Sequence, residues 1–310
     1  MTLETCPGCG CREFDHKPSA FPQFRLSHCR QCGTAWTSPQ PSPEELESYY
    51  GCDYYGPDSV KFVRPMERVV DWMNRIRARQ LHRLLRAPGR VLEIGCGRGL
   101  LLRELARMGH RCCGIERSSL AAARASRIPG LQIFTQSLDE CRFAKDSFDL
   151  VVQWHVLEHL ENPNAVLKEI HRVLKSEGHL VLEVPNFSSW QAGIFGNRWF
   201  HLDIPRHLYH FSMQGLIRML RQNGFTIVRV STFSLEQGPF GALQSLLNLL
   251  IHPTNGLYAF LKREIQISTV RKLIHLSLCV AFSLPAAAFA GIEAAAARGA
   301  VLRISARKAH

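Results

Sequence analysis

The stretch from Gly89 to Gly99, Gly-Arg-Val-Leu-Glu-Ile-Gly-Cys-Gly-Arg-Gly, constrains the fold of this chain more than any other. Val91, Leu92 and Ile94 form a short apolar run bounded by glycines, and Leu100 to Leu105 reads as a helix. Strand, glycine turn and helix is the arrangement by which an α/β protein brings bare backbone close to a nucleotide-type ligand. Glycine is needed there because the turn wants φ > 0 and because a Cβ would block the ligand. A dinucleotide fingerprint, G-x-G-x-x-G, would require glycine at position 100, where Leu100 stands. The third glycine instead comes one residue early. Glu93 precedes the turn, and Glu116 closes the next apolar run, Arg111 to Ile115, where a carboxylate can take both hydroxyls of a ribose.

Apolar strands alternate with helical patterns from there on. Strand patterns cover 111–116, 131–135, 148–152, 179–184 and 225–233, with helices over 120–126, 164–174 and 212–222. This alternation implies a parallel sheet with its ligand at the carboxyl ends of the strands.

Two knuckles open the chain, Cys6-x-x-Cys9-Gly10 and Cys29-x-x-Cys32-Gly33. Their separation matches a tetrahedral Cys₄ zinc ribbon, and four thiolates would make the zinc structural, with no open position for water. Cys11 is a spare thiol. Pro39 to Pro43 ends the ribbon as a stiff linker, and Ser42-x-x-Glu45 reads as a capping box. Tyr49, Tyr50, Tyr54 and Tyr55 follow, as packing for the linker or as a cover for a bound nucleoside. Val69, Trp72, Met73, Ile76, Leu81, Leu84 and Leu85 then recur at helical spacing, opposite a polar face with Arg68, Arg75, Arg79, Arg83 and Arg86.

The net charge of +12 and pI near 9.4 point to an anionic neighbour, nucleic acid or an acidic membrane surface. Residues Met1 to Cys6 carry neither a basic n-region nor an apolar h-region, so no signal peptide is expected. The eleven cysteines then suit a reducing, cytoplasmic setting, where clustered cysteines bind metal more often than they pair.

With Glu93-Ile-Gly-Cys-Gly-Arg-Gly, Phe148 to His159 (Phe-Asp-Leu-Val-Val-Gln-Trp-His-Val-Leu-Glu-His), Arg172 to Gly178 and Val184-Pro185-Asn186, the chain resembles a class I S-adenosylmethionine-dependent methyltransferase. It is most similar to the subgroup related to ubiquinone-biosynthesis O-methyltransferases, in the form preceded by a small zinc ribbon. The resemblance covers about residues 1 to 235 and the last ten. It implies an α/β, Rossmann-like seven-stranded sheet whose last strand runs antiparallel, fitted here by Val301 to Ala306. It also implies S-adenosyl-L-methionine as cofactor. Glu93, Gly95, Cys96 and Gly97 would lie along its methionine part, Glu116 would hold the ribose hydroxyls, and Ser137 and Leu138 would meet the adenine. Gln153, Trp154 and His155 would line the methionine floor. Gln136-Ser137 stands where the family often carries an acid for the adenine amino group.

A hydroxyl nucleophile needs a base with a pKa near neutrality, which favours histidine. The segment Trp199 to Phe211 follows the fifth strand of the sheet and holds His201, His207, His210 and Arg206. His207 is the first candidate for general base and His201 the second, with Arg206 to hold an anionic group of the acceptor. Glu158 and His159 would fix the start of the next helix or take part in catalysis. The acceptor expected is a small molecule or a lipid-linked one. Methylation of base amines usually goes with an Asn/Asp-Pro-Pro-aromatic segment, and Gln153-Trp154-His155 stands in its place, which disfavours nucleic acid. RNA ribose methylation and a non-catalytic ligand-binding scaffold are the alternatives.

The domains expected are a zinc ribbon (1–43), a linker with an amphipathic helix (44–88), the methyltransferase domain (89–235), an apolar helical insertion (236–299) and the last strand (300–310). Gln237 to Leu261 and Leu273 to Ile292 lack Asp, Glu, Lys and Arg. His252 to Gly256 should break the first into two short helices, and the second carries Pro285 and a run of alanines. Pairing of the two final strands would put both ends of the insertion on one side of any membrane. The insertion is therefore expected as a helical hairpin or bundle, either peripheral on the inner face of the membrane or a cap packed on the domain or in a dimer. Lys262, Arg263, Arg271, Lys272 and Arg298 would then face lipid phosphates.

Overall fold

The computed structural model describes residues 3–19, 21–49, 62–262, 264–265 and 268–309. Tyr50, Tyr54, Tyr55 and Arg263 lie outside the described residues. The strands in chain order are β1 (Phe14–Pro18), β2 (Arg25–Cys29), β3 (Ala35–Ser38), β4 (Arg90–Ile94), β5 (Arg111–Ile115), β6 (Leu131–Phe134), β7 (Phe148–Trp154), β8 (Leu174–Pro185), β9 (Tyr209–His210), β10 (Phe225–Ser231) and β11 (Val301–Lys308). The helices are α1 (Pro43–Ser48), α2 (Arg64–Leu85), α3 (Leu100–Arg107), α4 (Ser119–Ala125), α5 (Pro163–Val173), α6 (Trp190–Phe195), α7 (Met213–Gln222), α8 (Gln237–Leu250), α9 (Gly256–Leu261) and α10 (Thr269–Ala295). They fall into two compact units.

The sheet unit comprises Arg64–Glu183, Leu220–Val230 and Ile304–His310. Its seven strands are ordered β10-β11-β8-β7-β4-β5-β6, and β4 to β8 pair in parallel. Strand β11 runs against them. Lys308, at its end, reaches the carbonyl of Leu174 where β8 begins, and the amide of Ala309 reaches Gly224 just ahead of β10. Crossover helices are fixed by local signals. Ser118 caps α4 by accepting from the amide of Ala121, and Asn162 caps α5 from Ala165, with Pro163 at the first helical position. Leu101, Leu102 and Leu105 of α3 and Ala78 and Leu81 of α2 close one core with Val91, Leu150 and Val152.

One face of α2 differs from expectation. Val69 and Trp72 are exposed, and the inward stripe runs through Met73, Ala78 and Leu81. Ion pairs hold the first turns instead of apolar burial: Glu67 with Arg98 at 2.9 Å and Asp71 with Arg103 at 3.0 Å.

The ribbon unit comprises Met1–Val63, Val184–Met219 and Ser231–Arg303. The ribbon and the apolar insertion, expected as separate pieces, thus share one unit. The reason is non-local pairing. Strand β9 joins the ribbon sheet in the order β1-β2-β3-β9, with Ala35 opposite His210 and Trp36 opposite Tyr209. Phe24, Leu26 and Ala35 then pack with Trp199, Leu202 and Ile204. In the insertion, the break after α8 falls where His252 to Gly256 predicts it. Pro285 does not break α10. The proline lies on the exposed side of one continuous helix of 27 residues. Lys262 is also not available to lipid: it is 2% exposed and pairs with Glu264.

Candidate active site

The three glycines after β4 serve three different needs. Gly95 has φ +73°, and a Cβ there would stand 2.4 Å from Cγ2 of Val156. Gly99, at φ +71°, opens α3 in the left-handed region. Gly97 has φ +52°, and a Cβ added to it would meet no atom of the described residues within 4 Å. Only Gly97 therefore presents bare backbone to open space. The amides of Gly95 and Cys96 both donate to the carbonyl of Ile115, at 2.8 and 3.0 Å. They are committed to the turn itself. The Cys96 side chain is buried in the core, so its contribution is packing, and burial beside Glu93 and Glu116 pushes its thiol pKa far up.

Glu116 is buried at the end of β5, where its Oε2 accepts from the amide of Gly97 and its Oε1 from the amide of Ser118, both at 2.8 Å. A carboxylate accepts about four hydrogen bonds. Two backbone donors thus orient Glu116 without by themselves filling it. Glu93 is 5% exposed, and its Oε2 has no hydrogen-bond partner among the described residues. Burial raises its pKa to about 8, the Arg77 guanidinium acts against that rise, and the Glu116 charge adds to it. Arg77 comes from α2, with Cζ 5.1 Å from the centre of the Trp154 ring. The neighbouring Gln153 is fully buried with neither amide atom paired among the described residues, a costly state for a polar group.

His155, directly after β7, has φ +52°, an uncommon conformation for a residue with a Cβ. Its Nε2 is 3.2 Å from Oε1 of Glu183, and its Nδ1 is 3.4 Å from Oε1 of Glu158. Both carboxylates are fully buried. Burial alone would lower the imidazole pKa. The two carboxylates outweigh it and bring the pKa up to about 10, so His155 is an imidazolium at neutral pH. Ser137 donates its amide and its hydroxyl to Oε2 of Glu140, at 2.9 and 2.6 Å, in the turn where Leu138 is buried.

In the ribbon unit, the sulfurs of Cys6 and Cys32 are 3.5 Å apart, those of Cys9 and Cys29 3.6 Å, and all four lie within 4.8 Å of one another. A tetrahedral zinc at about 2.3 Å from each sulfur requires edges of about 3.8 Å, so the donor set fits that ion. The second knuckle rests on the start of α7. The Ser212 hydroxyl donates to the carbonyl of Cys32 and accepts from the amide of Gly215 at 2.9 Å. A Cβ on Gly215 would stand 2.0 Å from Oγ1 of Thr34.

The histidine segment hangs on the same ribbon. The Thr37 hydroxyl donates to the carbonyl of His207 at 2.8 Å, and its amide to that of Leu208. His207 is buried and its Nδ1 lies 2.9 Å from the carbonyl of His201. A carbonyl can only accept, so Nδ1 carries a proton, and Nε2 lies 3.8 Å from Asp203. His201 is buried too, with Nε2 3.2 Å from the carbonyl of Gln237. Arg206 lies in the same loop. Its guanidinium is engaged by Oδ1 of Asp203 at 2.6 Å and 3.1 Å, so it braces its own loop.

Residues 67–230 match a family described as a methyltransferase domain, just over half of the 310 residues. The chain belongs to this family. The methyltransferase is 30% identical over 138 residues to a ubiquinone biosynthesis O-methyltransferase of Xanthomonas oryzae pv. oryzae, covering 42% of this chain and 57% of the relative. It is 29% identical over 153 residues to a protein of Mycobacterium tuberculosis named as a probable S-adenosylmethionine-dependent methyltransferase, covering 48% and 52%. It thus spans little more than half the length of these relatives. Among solved structures, the [4+2]-cyclase SpnF aligns over 87% of this chain and 98% of its own, with a TM-score of 0.54 and 19% identity. An S-adenosylmethionine-dependent methyltransferase from Archaeoglobus fulgidus aligns over 77% and 94%, with a TM-score of 0.50 and 20% identity. These likenesses show the class I methyltransferase fold.

The sheet unit of this methyltransferase suits S-adenosylmethionine on three observations: the open cradle at Gly97, the unpaired Oε2 of Glu93 and the unpaired amide of Gln153. Two side chains that contact these groups lie outside the sequence reading. Arg77 stands one turn from both Met73 and Leu81 on the inward stripe of α2, which is the signal that finds it. Glu183 is an acid inside the apolar run Leu180 to Val184.

Proposed function

We propose that this methyltransferase uses S-adenosylmethionine to methylate a hydroxyl of a small-molecule or lipid-linked acceptor. The cofactor supplies an electrophilic methyl on a sulfonium. Glu116 would take the ribose hydroxyls, and Glu93 and Gln153 would receive the methionine portion. The carrying observation is that Gly97, alone of the three glycines, turns bare backbone to open space while its amide is tied to Glu116. On the acceptor side, His207, its Nδ1 held by the carbonyl of His201, would offer Nε2 as the general base. Arg206 and Asp203 would hold its loop, and His201 would fix its tautomer through its backbone carbonyl. The names of the Xanthomonas and other relatives as O-methyltransferases support a hydroxyl acceptor. Zinc on Cys6, Cys9, Cys29 and Cys32 would be structural.

The test is incubation of the purified chain with methyl-labelled S-adenosylmethionine and a total lipid extract. Label transferred to an extractable product, with the methyl on oxygen by mass spectrometry, supports the reading. Label on nitrogen or carbon contradicts the hydroxyl acceptor.

A further inference from the structure

Helix α10 is built inside out. Its inner strip, packed on α8, includes His275 and Glu293, which are 5% and 0% exposed. Glu293 accepts from the amide of Gln191 at 2.5 Å, and the ring of His275 bonds the carbonyl of Arg271 at 2.8 Å. Its outer strip is apolar instead. Leu273, Leu276, Val280, Leu284 and Ile292 are 60%, 62%, 74%, 81% and 61% exposed. No Asp, Glu, Lys or Arg occurs from Leu273 to Ile292. Even the exposed Ser283 returns its hydroxyl to the carbonyl of Cys279. A water-facing helix carries its charges outward. This one keeps its histidine and its glutamate inward and shows water a largely apolar strip about 30 Å long.

Three observations decide what covers the strip. The helix is backed at both ends within its own unit: a Cβ on Gly238 would lie 3.4 Å from Ala290, and one on Gly256 3.5 Å from His275. Its partner α8 buries Gln244, Ser245 and Asn248, which no lipid could solvate. The pair therefore offers one side only and does not cross a bilayer. Finally, exposed cations stand at both ends of the strip, Arg271 and Lys272 before it and Arg298 after it.

We propose that the outer face of α10 lies in the surface of an anionic phospholipid bilayer, with its axis in the membrane plane and the flanking cations at the phosphates. The proposal goes beyond the methyltransferase reading and does not rest on it. Only the face and its rim take part, since Lys262 and α8 face the protein interior.

The test is flotation of the purified full chain with vesicles of phosphatidylcholine alone or mixed with phosphatidylglycerol. The chain should float with the mixed vesicles. Val280→Glu with Leu284→Glu should lower the bound fraction roughly tenfold while melting temperature and zinc content hold. Arg271→Glu with Lys272→Glu, which gives up the approach of Lys272 to the Phe260 ring at 5.9 Å and is checked for an unchanged melting temperature, should lower it on mixed vesicles and not on neutral ones. A wild-type chain that stays unbound to both vesicles overturns the proposal. So does a wild-type dimer that the glutamate pair converts to monomer without any vesicle binding, because a second copy would then cover the strip.

Discussion

The amide of Gly97 donates to Oε2 of Glu116 at 2.8 Å. One bond thus joins the glycine loop after β4 to the end of β5, and the residue that should take the ribose also sets the loop. Glu116→Ala should therefore cost more than one ligand contact. Charge-assisted hydrogen bonds contribute about 1.5–3 kcal/mol, so cofactor affinity should fall at least about tenfold. Glu116→Gln keeps one acceptor and should retain part of it. Equal affinities for the wild type and the alanine variant, by calorimetry, would refute the role of Glu116.

The pairing of His155 with Glu158 and Glu183 makes stability depend on pH. Its pKa rises from 6.5 to about 10 on folding. A raised pKa means that the folded state holds the proton more tightly. The contribution is therefore fully present below about pH 6.5 and is lost as pH rises through about 10. Urea titrations from pH 6 to 10 should show wild-type stability falling more steeply than that of His155→Gln. The variant, which leaves two buried carboxylates without their cation, should be about 3–5 kcal/mol less stable at pH 7. Parallel pH profiles for the two proteins would contradict the pairing.

Zinc should organise more than the ribbon. Ser212 caps α7 and bonds the carbonyl of Cys32, and Thr37 holds His207 and Leu208. Cys29→Ser should lose the roughly one equivalent of zinc per chain. Hydrogen exchange should then speed up over residues 207–215 as well as in the knuckles. Unchanged protection there in zinc-free protein would detach the histidine segment from the metal.

His207→Ala should lower kcat roughly 10²-fold or more and leave cofactor affinity unchanged. A variant with wild-type kcat would leave His207 as a packing residue only.

Much of this arrangement is legible in sequence because its signals are local. Gly95, Gly97 and Gly99 after Val91 to Ile94 announce the turn, and Ser118, Asn162 and Ser212 announce their helices. What is not legible is non-local. Nothing near Tyr209 says that it pairs with Trp36, 173 positions away in register terms. Arg77 is told from the other arginines of α2 only by Met73 and Leu81 one turn to either side, and its place over the Trp154 ring is a contact with a strand far along the chain. The two apolar stretches of the insertion read alike. Only the hydrogen bond of Gln244 to Asn248 and the exposure of Leu284 separate an inner helix from an outer one.

The most direct measurement of the central claim is calorimetric titration of the zinc-loaded full chain with S-adenosylmethionine and, separately, with NAD. The account predicts saturable binding of one S-adenosylmethionine per chain, weakened by Gly97→Leu, and no binding of NAD. Binding of NAD with none of S-adenosylmethionine would contradict it.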